Sequence, residues 1–382
     1  MNAGRLHAVL ESIKQDYEKN GVVEKLQATV NALSASISST TEANANVFRE
    51  ALADLYAALD QSSSISAMPS QLEILQEIGG ADKTGLGLRE RIQSTLDANN
   101  VTPANALAEL QKMLEGVTQF AEVVVKTVEG FDELKIPYDE LEPGETEIGV
   151  QVPWPVIHSN LEGLQEEIHE FDKALRIFGE VAEDNPQSPE IRAVGSSELQ
   201  LFIQSTPAIA VCVATALERL CALYKQILEI KLLKKQLREK RLPDKVMASV
   251  EEHQQQLADK GIEKIANDIM REFSKKRDKE RQNELRNGMR AALRFLAAQI
   301  DAGVDMEVRS EPPRAKDVAE SEGENIRSAK TKIALEKARQ TVVRIKRAGV
   351  AMRALKRTGE PILALEQPPK RKEKKNDKSD AA

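Results

Sequence analysis

Aromatic residues are scarce in this chain. Phenylalanine, tyrosine and tryptophan together make up 3% of 382 residues, and there is one tryptophan, Trp154. Ligand pockets are lined mainly by apolar and aromatic side chains around a few polar groups, so this composition argues against an enzyme with a deep aromatic-lined site. Cysteine and histidine are scarcer still, with two and four residues. Cys212 and Cys221 are nine residues apart in a helical stretch. At about 100° per residue they fall on opposite faces of that helix and cannot bridge within it. A reducing compartment fits such usage.

The few histidines also limit metal and triad chemistry. His7, His158 and His253 belong to no His-x-x-x-His, Cys-x-x-Cys or Gly-x-Ser-x-Gly pattern. Glu166 and His169 form a Glu-x-x-His pair. Di-iron bundles use that spacing in two copies with two further glutamates, and no second copy occurs here. Glu162, Glu167 and Glu170 surround the pair and make it an acidic, solvated face. The run Gly79-Gly80-Ala81-Asp82-Lys83-Thr84-Gly85 superficially suggests a phosphate loop. That loop needs glycine immediately before its lysine, and Asp82 stands there with a charge that repels phosphate. The run is a turn. No catalytic, cofactor-binding or metal-ligating residue is assigned, and no cofactor is expected.

Long apolar runs are missing too. The most apolar stretch, Pro207 to Leu217, meets Glu218 and Arg219 well short of the ~20 residues that span a bilayer. The N-terminal residues acquire charge before any signal-type apolar core. The expectation is a cytoplasmic chain with no membrane span.

What is present is charge and helical periodicity. Hydrophobic residues make up 41% and charged residues 30%, the profile of long helices with solvated surfaces. Leu6, Leu10, Ile13 and Tyr17 recur at helical spacing, as do Leu26, Val30, Leu33 and Ile37, with Asn20-Gly21 as a break between the two sets. Thr102-Pro103 is a helix start. The middle of the chain changes character: short apolar runs flank prolines and the hairpin signal Gly195-Ser196-Ser197. The predicted fold class is mainly α, with helical-bundle and coiled-coil-like segments and a small embedded α+β unit of order β-α-β-β-α. The segments expected are an N-terminal helical bundle (1–132), an acidic linker (133–147), the α+β unit ending in a long helix (148–243), a helical hairpin (244–300), a loop (301–323), a basic helix (324–358) and a disordered basic tail (359–382). Trp154, beside the first strand, is expected as a core plug under the α+β unit rather than as an exposed anchor.

The net charge of −7 conceals a division. Residues 271–382 carry 29 basic against 18 acidic residues, a net of +11. Residues 1–270 carry 25 against 43, a net of −18. In the basic part, Leu335, Ala338, Val342, Ile345, Gly349 and Met352 repeat as a short coiled-coil-like seam. Lys332, Arg339, Lys346 and Arg353 flank it at seven-residue spacing. Arg286, Arg290 and Arg294 form a second stripe at four-residue spacing. Arg286, Arg290, Arg294, Arg339, Arg344, Lys346, Arg347 and Arg353 are therefore the candidate residues for binding a polyanion or a protein partner. A parallel self-pair would place Ala334, Thr341 or Ala348 opposite the basic positions and form no salt bridge, so the seam suits an acidic helix or a polyanion better. Phe273 and Phe295 are the only aromatics after Arg271, so nucleic-acid binding would be phosphate-led, non-specific and salt-sensitive.

The function expected from these features is a non-enzymatic helical interaction or scaffold protein, acting by self-association or by docking a protein partner. One alternative is non-specific association with a nucleic-acid backbone through the basic arm. Another is an enzyme or toxin with a carboxylate-based site in the α+β unit. The basic residues Arg339, Lys346 and Arg353 are expected to pack against the acidic body of the same chain.

Overall fold

The computed structural model describes residues 2–185, 187–195, 198–239, 244–274, 278–321, 329–355 and 362–363. Over these residues the protein is mainly α, with one small four-stranded antiparallel sheet. Two compact units emerge. The first comprises Met1–Gln151, Glu190–Pro207 and Met306–Arg353. The second comprises Val152–Pro189, Ala208–Asp305 and Ala354–Ala382.

In the first unit, α1 (Ala3–Asn20), α2 (Val22–Ser38), α3 (Glu42–Leu59), α4 (Pro69–Glu77), α5 (Gly85–Ala98) and α6 (Pro103–Glu133) form a bundle. Its breaks follow local chemistry. Gly21 takes a left-handed φ of 60° and its N–H closes α1 on the Tyr17 carbonyl, a geometry that glycine adopts without a Cβ penalty. Thr41 caps α3 by accepting from the Asn44 N–H. The long helix α6 buries Leu110, Met113, Val117, Val124 and Val128 along one stripe. That stripe joins Leu10, Ile13, Leu26, Leu33, Leu55 and Ile92 in one apolar core.

The sheet runs in the order β2-β3-β1-β4, from β1 (Thr146–Val152), β2 (Ile191–Gly195), β3 (Leu199–Ser205) and β4 (Asp305–Ser310). The hairpin pairs Ile191 with Ile203 and Ala193 with Phe202, so Arg192 is the extra residue of a β-bulge. Strand β4 was not expected. Residues 301–323, predicted as a loop, contain β4 and α11 (Ala315–Ser321). The apolar positions Met306 and Val308 alternate with charged Glu307 and Arg309, and a strand with charge on alternate residues resembles a polar loop until a partner for that face is found. The last helix, α12 (Ala329–Arg353), buries Ile345, Ala348, Gly349 and Met352. Arg353 donates to the Ile65 carbonyl, and a Cβ at Gly349 would stand 3.2 Å from Met68 Sδ. The seam is thus used inside the unit.

The second unit is built on α7 (Leu161–Glu183), α8 (Pro207–Glu239), α9 (Asp244–Phe273) and α10 (Lys279–Ala302). Phe171 of α7 meets Phe295 of α10 edge-on at 4.8 Å, and Glu180 pairs with Arg281 near the opposite ends of the same helices. Gly261 lets α9 approach α8, since a Cβ there would stand 2.6 Å from Leu223 Cδ1. Cys212 and Cys221 are buried and unbridged. Helix α8 continues through Glu218 and Arg219. By length and composition alone its Pro207–Gln236 stretch could cross a membrane, although 61% of its most apolar window is buried within the protein, as in the core helix of a bundle. Trp154 is not a core plug. It is 40% exposed in the turns after β1, where Pro153 and Pro155 end the strand and turn the chain outward.

Ile362 and Leu363 also belong to the second unit, and both side chains are buried. The Asp301 carboxylate accepts from the Ile362 N–H at 2.8 Å and from the Leu363 N–H at 2.8 Å. The remainder of the predicted tail, including Lys370 to Lys375, lies outside the described residues. Asp301→Ala would strand two backbone donors, at about 1–3 kcal/mol for each buried donor left unpaired. Amide hydrogen exchange at residues 362 and 363 is expected to accelerate by at least about tenfold, a change of roughly 1.4 kcal/mol, with little change at Phe295.

Candidate functional site

Alternation in the strands sorts the sheet into two faces. One carries Ile148, Val150, Leu199, Leu201, Ile203, Met306 and Val308. The other carries Glu147, Gln151, Gln200, Phe202, Glu307 and Arg309. The second face is polar, and most of it is buried. Burying a charge is costly unless it is paired and hydrogen-bonded, so the partners of Glu147, on the inner strand β1, decide whether this face can exist.

Three arginines converge on it. Arg5 Nη2 of α1 lies 2.7 Å from Glu147 Oε2, and its Nε lies 2.7 Å from Asp139 Oδ2. The same guanidinium stacks 3.2 Å from the centre of the Phe202 ring. Arg309 Nη1 of β4 reaches Glu147 Oε1 at 3.2 Å. Arg192, aimed by the bulge, reaches Asp139 and Glu145 at 3.2 Å each and Glu147 at 3.7 Å. Farther along the face, Gln151 and Gln200 donate to Glu73 Oε2 at 2.8 and 2.5 Å.

Glu307 has a distinct role. Its two oxygens accept from the Ser70 N–H at 2.9 Å and the Ser70 hydroxyl at 2.8 Å. Ser70 is the second residue of α4, so a β4 carboxylate satisfies a helix N-terminus 237 residues away in sequence. Burial pushes the Glu307 carboxyl above the usual carboxylate range, while the Ser70 donors, Arg309 and Arg5 work in the opposite direction. Gly149 makes the space: a Cβ there would stand 2.6 Å from Glu307 Cγ.

As chemistry, this constellation is closed. Each carboxylate of the cluster already accepts from a donor, and the arginines are held by carboxylates, carbonyls or the Phe202 face. Among the described residues, no group of three or more His, Cys, Asp or Glu side chains is placed to hold a metal. Glu166 and His169 lie exposed on α7. Burial and the neighbouring Glu170 push the Glu167 carboxyl on the same helix up to about 7. In the glycine turn, Lys83 folds back onto the Gly79 carbonyl and lies 3.4 Å from Asp82. The buried network was not foreseen from the sequence. Its signal was the polar set Glu147, Gly149 and Gln151 alternating with Ile148, Val150 and Val152, a pattern ordinarily assigned to a solvent-facing side.

The eight predicted binding residues divide between the units. On α10, Arg294 pairs with Asp259 at 2.9 Å and Arg290 with Glu263 at 3.5 Å, both on α9. The same antiparallel register places Asn267 opposite Arg286, whose Nη1 donates instead to Asn283 at 3.1 Å. This stripe is answered locally. On α12 the result differs from the expectation that basic residues would pack on an acidic body. Arg353 is half-buried, but against a backbone carbonyl, and desolvation lowers its pKa. Arg344 is half-buried and engaged. Arg339, Lys346 and Arg347 are exposed, as is Lys332, and no carboxylate among the described residues pairs with them. The reason is rotational: Ile345, Ala348, Gly349 and Met352 occupy the inward side, which turns these four residues out.

Two substitutions test the network. Gly149→Ala forces the pinned Glu307 to move and is expected to cost about 1–3 kcal/mol, as overpacking does, measured by urea unfolding. Glu307→Gln tests the raised carboxyl. A carboxyl raised by folding holds its proton more tightly in the native state, so its stabilising contribution is greatest below its unfolded value and falls as pH rises through the folded one. The wild type is expected to lose stability relative to Glu307→Gln as pH rises from about 4 toward neutrality, and parallel pH profiles would refute this. No family model, curated protein or solved structure matches this chain.

Proposed function

We propose that this protein acts by binding rather than by catalysis, and that the outward face of α12 docks an acidic protein partner. The observation that carries the reading is the contrast between two basic stripes. Arg290 and Arg294 of α10 are matched by acidic residues of α9, whereas Lys332, Arg339, Lys346 and Arg347 face solvent without a carboxylate among the described residues. Val343 and Val350 lie on the same outward face, 51% and 54% exposed. Interleaved β-branched residues give a partner helix something to bury as well as charge to answer. The same face has no aromatic on which a base could stack, which favours a protein over single-stranded nucleic acid.

The test is Lys332→Glu, Arg339→Glu and Lys346→Glu combined, with a fluorescently labelled poly-glutamate chain as probe and duplex DNA as the comparison. Poly-glutamate binding is expected to weaken at least about tenfold in the variant and to fall with salt in the wild type, with thermal unfolding unchanged. Equal binding by both proteins would sink the proposal. Tighter binding to the duplex, lost in the same variant, would transfer the site to nucleic acid.

A further inference from the structure

We infer that the acidic partner of α12 is α6 of a second copy of this chain; the inference rests on the docking role proposed for α12 and names its occupant. Helix α6 turns one side to the apolar core of the first unit and the other to solvent. On the solvent side Glu115, Glu122 and Glu129 are exposed at seven-residue steps. On α12, Lys332, Arg339 and Lys346 are exposed at the same step. In both helices successive charges stand about 10.5 Å apart, so three acids can meet three bases in one register, with the helices parallel or antiparallel. Both rows are exposed in one copy, so neither covers the other.

A second row on α6 points the same way. Gly116, Val123 and Gly130 follow the three glutamates by one residue and share their seven-residue step. Val123 is 58% exposed. A Cβ added at Gly116 or Gly130 would meet nothing within 4 Å, and neither glycine has a left-handed backbone. Glycine inside a helix lowers stability relative to alanine, and packing among the described residues gives these two no reason to be glycine. A helix laid against this face gives one, because it can approach closely where Cβ atoms are absent. Val343 and Val350 of α12 repeat at the same step and can seat along the glycine–valine row. Most surface ion pairs are individually weak. Here they set register and sign, while the valines and glycines supply contact.

Because α6 of one copy would receive α12 of another, the contact either closes as a two-fold pair or continues as an open chain. Light scattering and sedimentation on the full chain over a range of concentrations are expected to show at least twice the chain mass at low salt. Near 1 M salt, where the screening length is about 3 Å, the mass should fall toward that of one chain. Glu115, Glu122 and Glu129 changed together to Lys, or Lys332, Arg339 and Lys346 changed together to Glu, should each weaken self-association by at least about tenfold. Mixing these two variants should restore it, since each then offers the other two complementary helix faces. Recovery on mixing cannot arise from misfolding. Gly116→Leu with Gly130→Leu leaves every charge in place and should also block association, with circular dichroism confirming an intact fold. A wild type that stays monomeric at low salt and all concentrations, or variants that associate as the wild type does, would overturn the inference. In the monomeric case, retained poly-glutamate binding would leave the docking role of α12 standing, and its loss would remove both.

Discussion

The first unit depends on answering the buried Glu147 carboxylate with cationic partners. It is the second residue of β1, its side chain is fully buried, and its charge is matched by Arg5, Arg192 and Arg309. Removing one partner of a buried pair typically costs about 3–5 kcal/mol, because the other charge is left unanswered. The three arginines come from α1, a bulge in β2, and β4, so the charge balance can be met only when segments separated by 142 and 162 residues are assembled. Replacing such clusters with apolar side chains is often neutral or stabilising in other proteins. Here the cluster specifies which strands and helices may share the face.

The Glu307–Ser70 contact extends that specification to the bundle. Helix α4 begins at Pro69, which has no N–H to satisfy, and its next donor is taken up by a carboxylate from β4. The Gln71 side chain accepts from the Met68 N–H at 2.8 Å and completes the turn. Met68 in turn lies beside Gly349 of α12. Sheet, α4 and α12 are therefore joined by successive contacts, and the rotation of α12 follows from that docking. Once the Ile345–Met352 side is turned inward, the lysine and arginine row on the other side can only face out.

Much of this architecture was legible in the sequence. The break at Gly21, the start at Thr102-Pro103, the hairpin around Gly195 and the mainly helical class all follow from local chemistry that tertiary structure does not override. The missed features have one cause. Glu147, Glu307 and Arg309 are charged residues on strand faces, and local pattern assigns such residues to solvent or to loops. Only the distant partners Arg5, Ser70 and Arg192 make their burial affordable, and nothing in the local pattern around β1 or β4 names those partners. Trp154 failed for the opposite reason. Size alone suggested a core position, but the two adjacent prolines control where the chain can place it.

The two basic stripes show where charge counting stops being informative. Arg290 and Arg294 look no different in sequence from Arg339 and Lys346. What separates them is Asp259 and Glu263, four residues apart on α9 and in register with the two arginines across an antiparallel pair. A net charge of +11 over residues 271–382 cannot distinguish a neutralised stripe from an open one, because the distinction lies in the spacing of a neighbour's acids. For Lys332, Arg339, Lys346 and Arg347 of α12 no such neighbour occurs among the described residues. A row of like charges on one helix face is self-repelling, so it gains nothing for an isolated fold, and its valines bury little there. The same face becomes favourable when an acidic row with the same seven-residue step is laid against it. The exposed side of α6 carries that row, beside two glycines that packing among the described residues does not require.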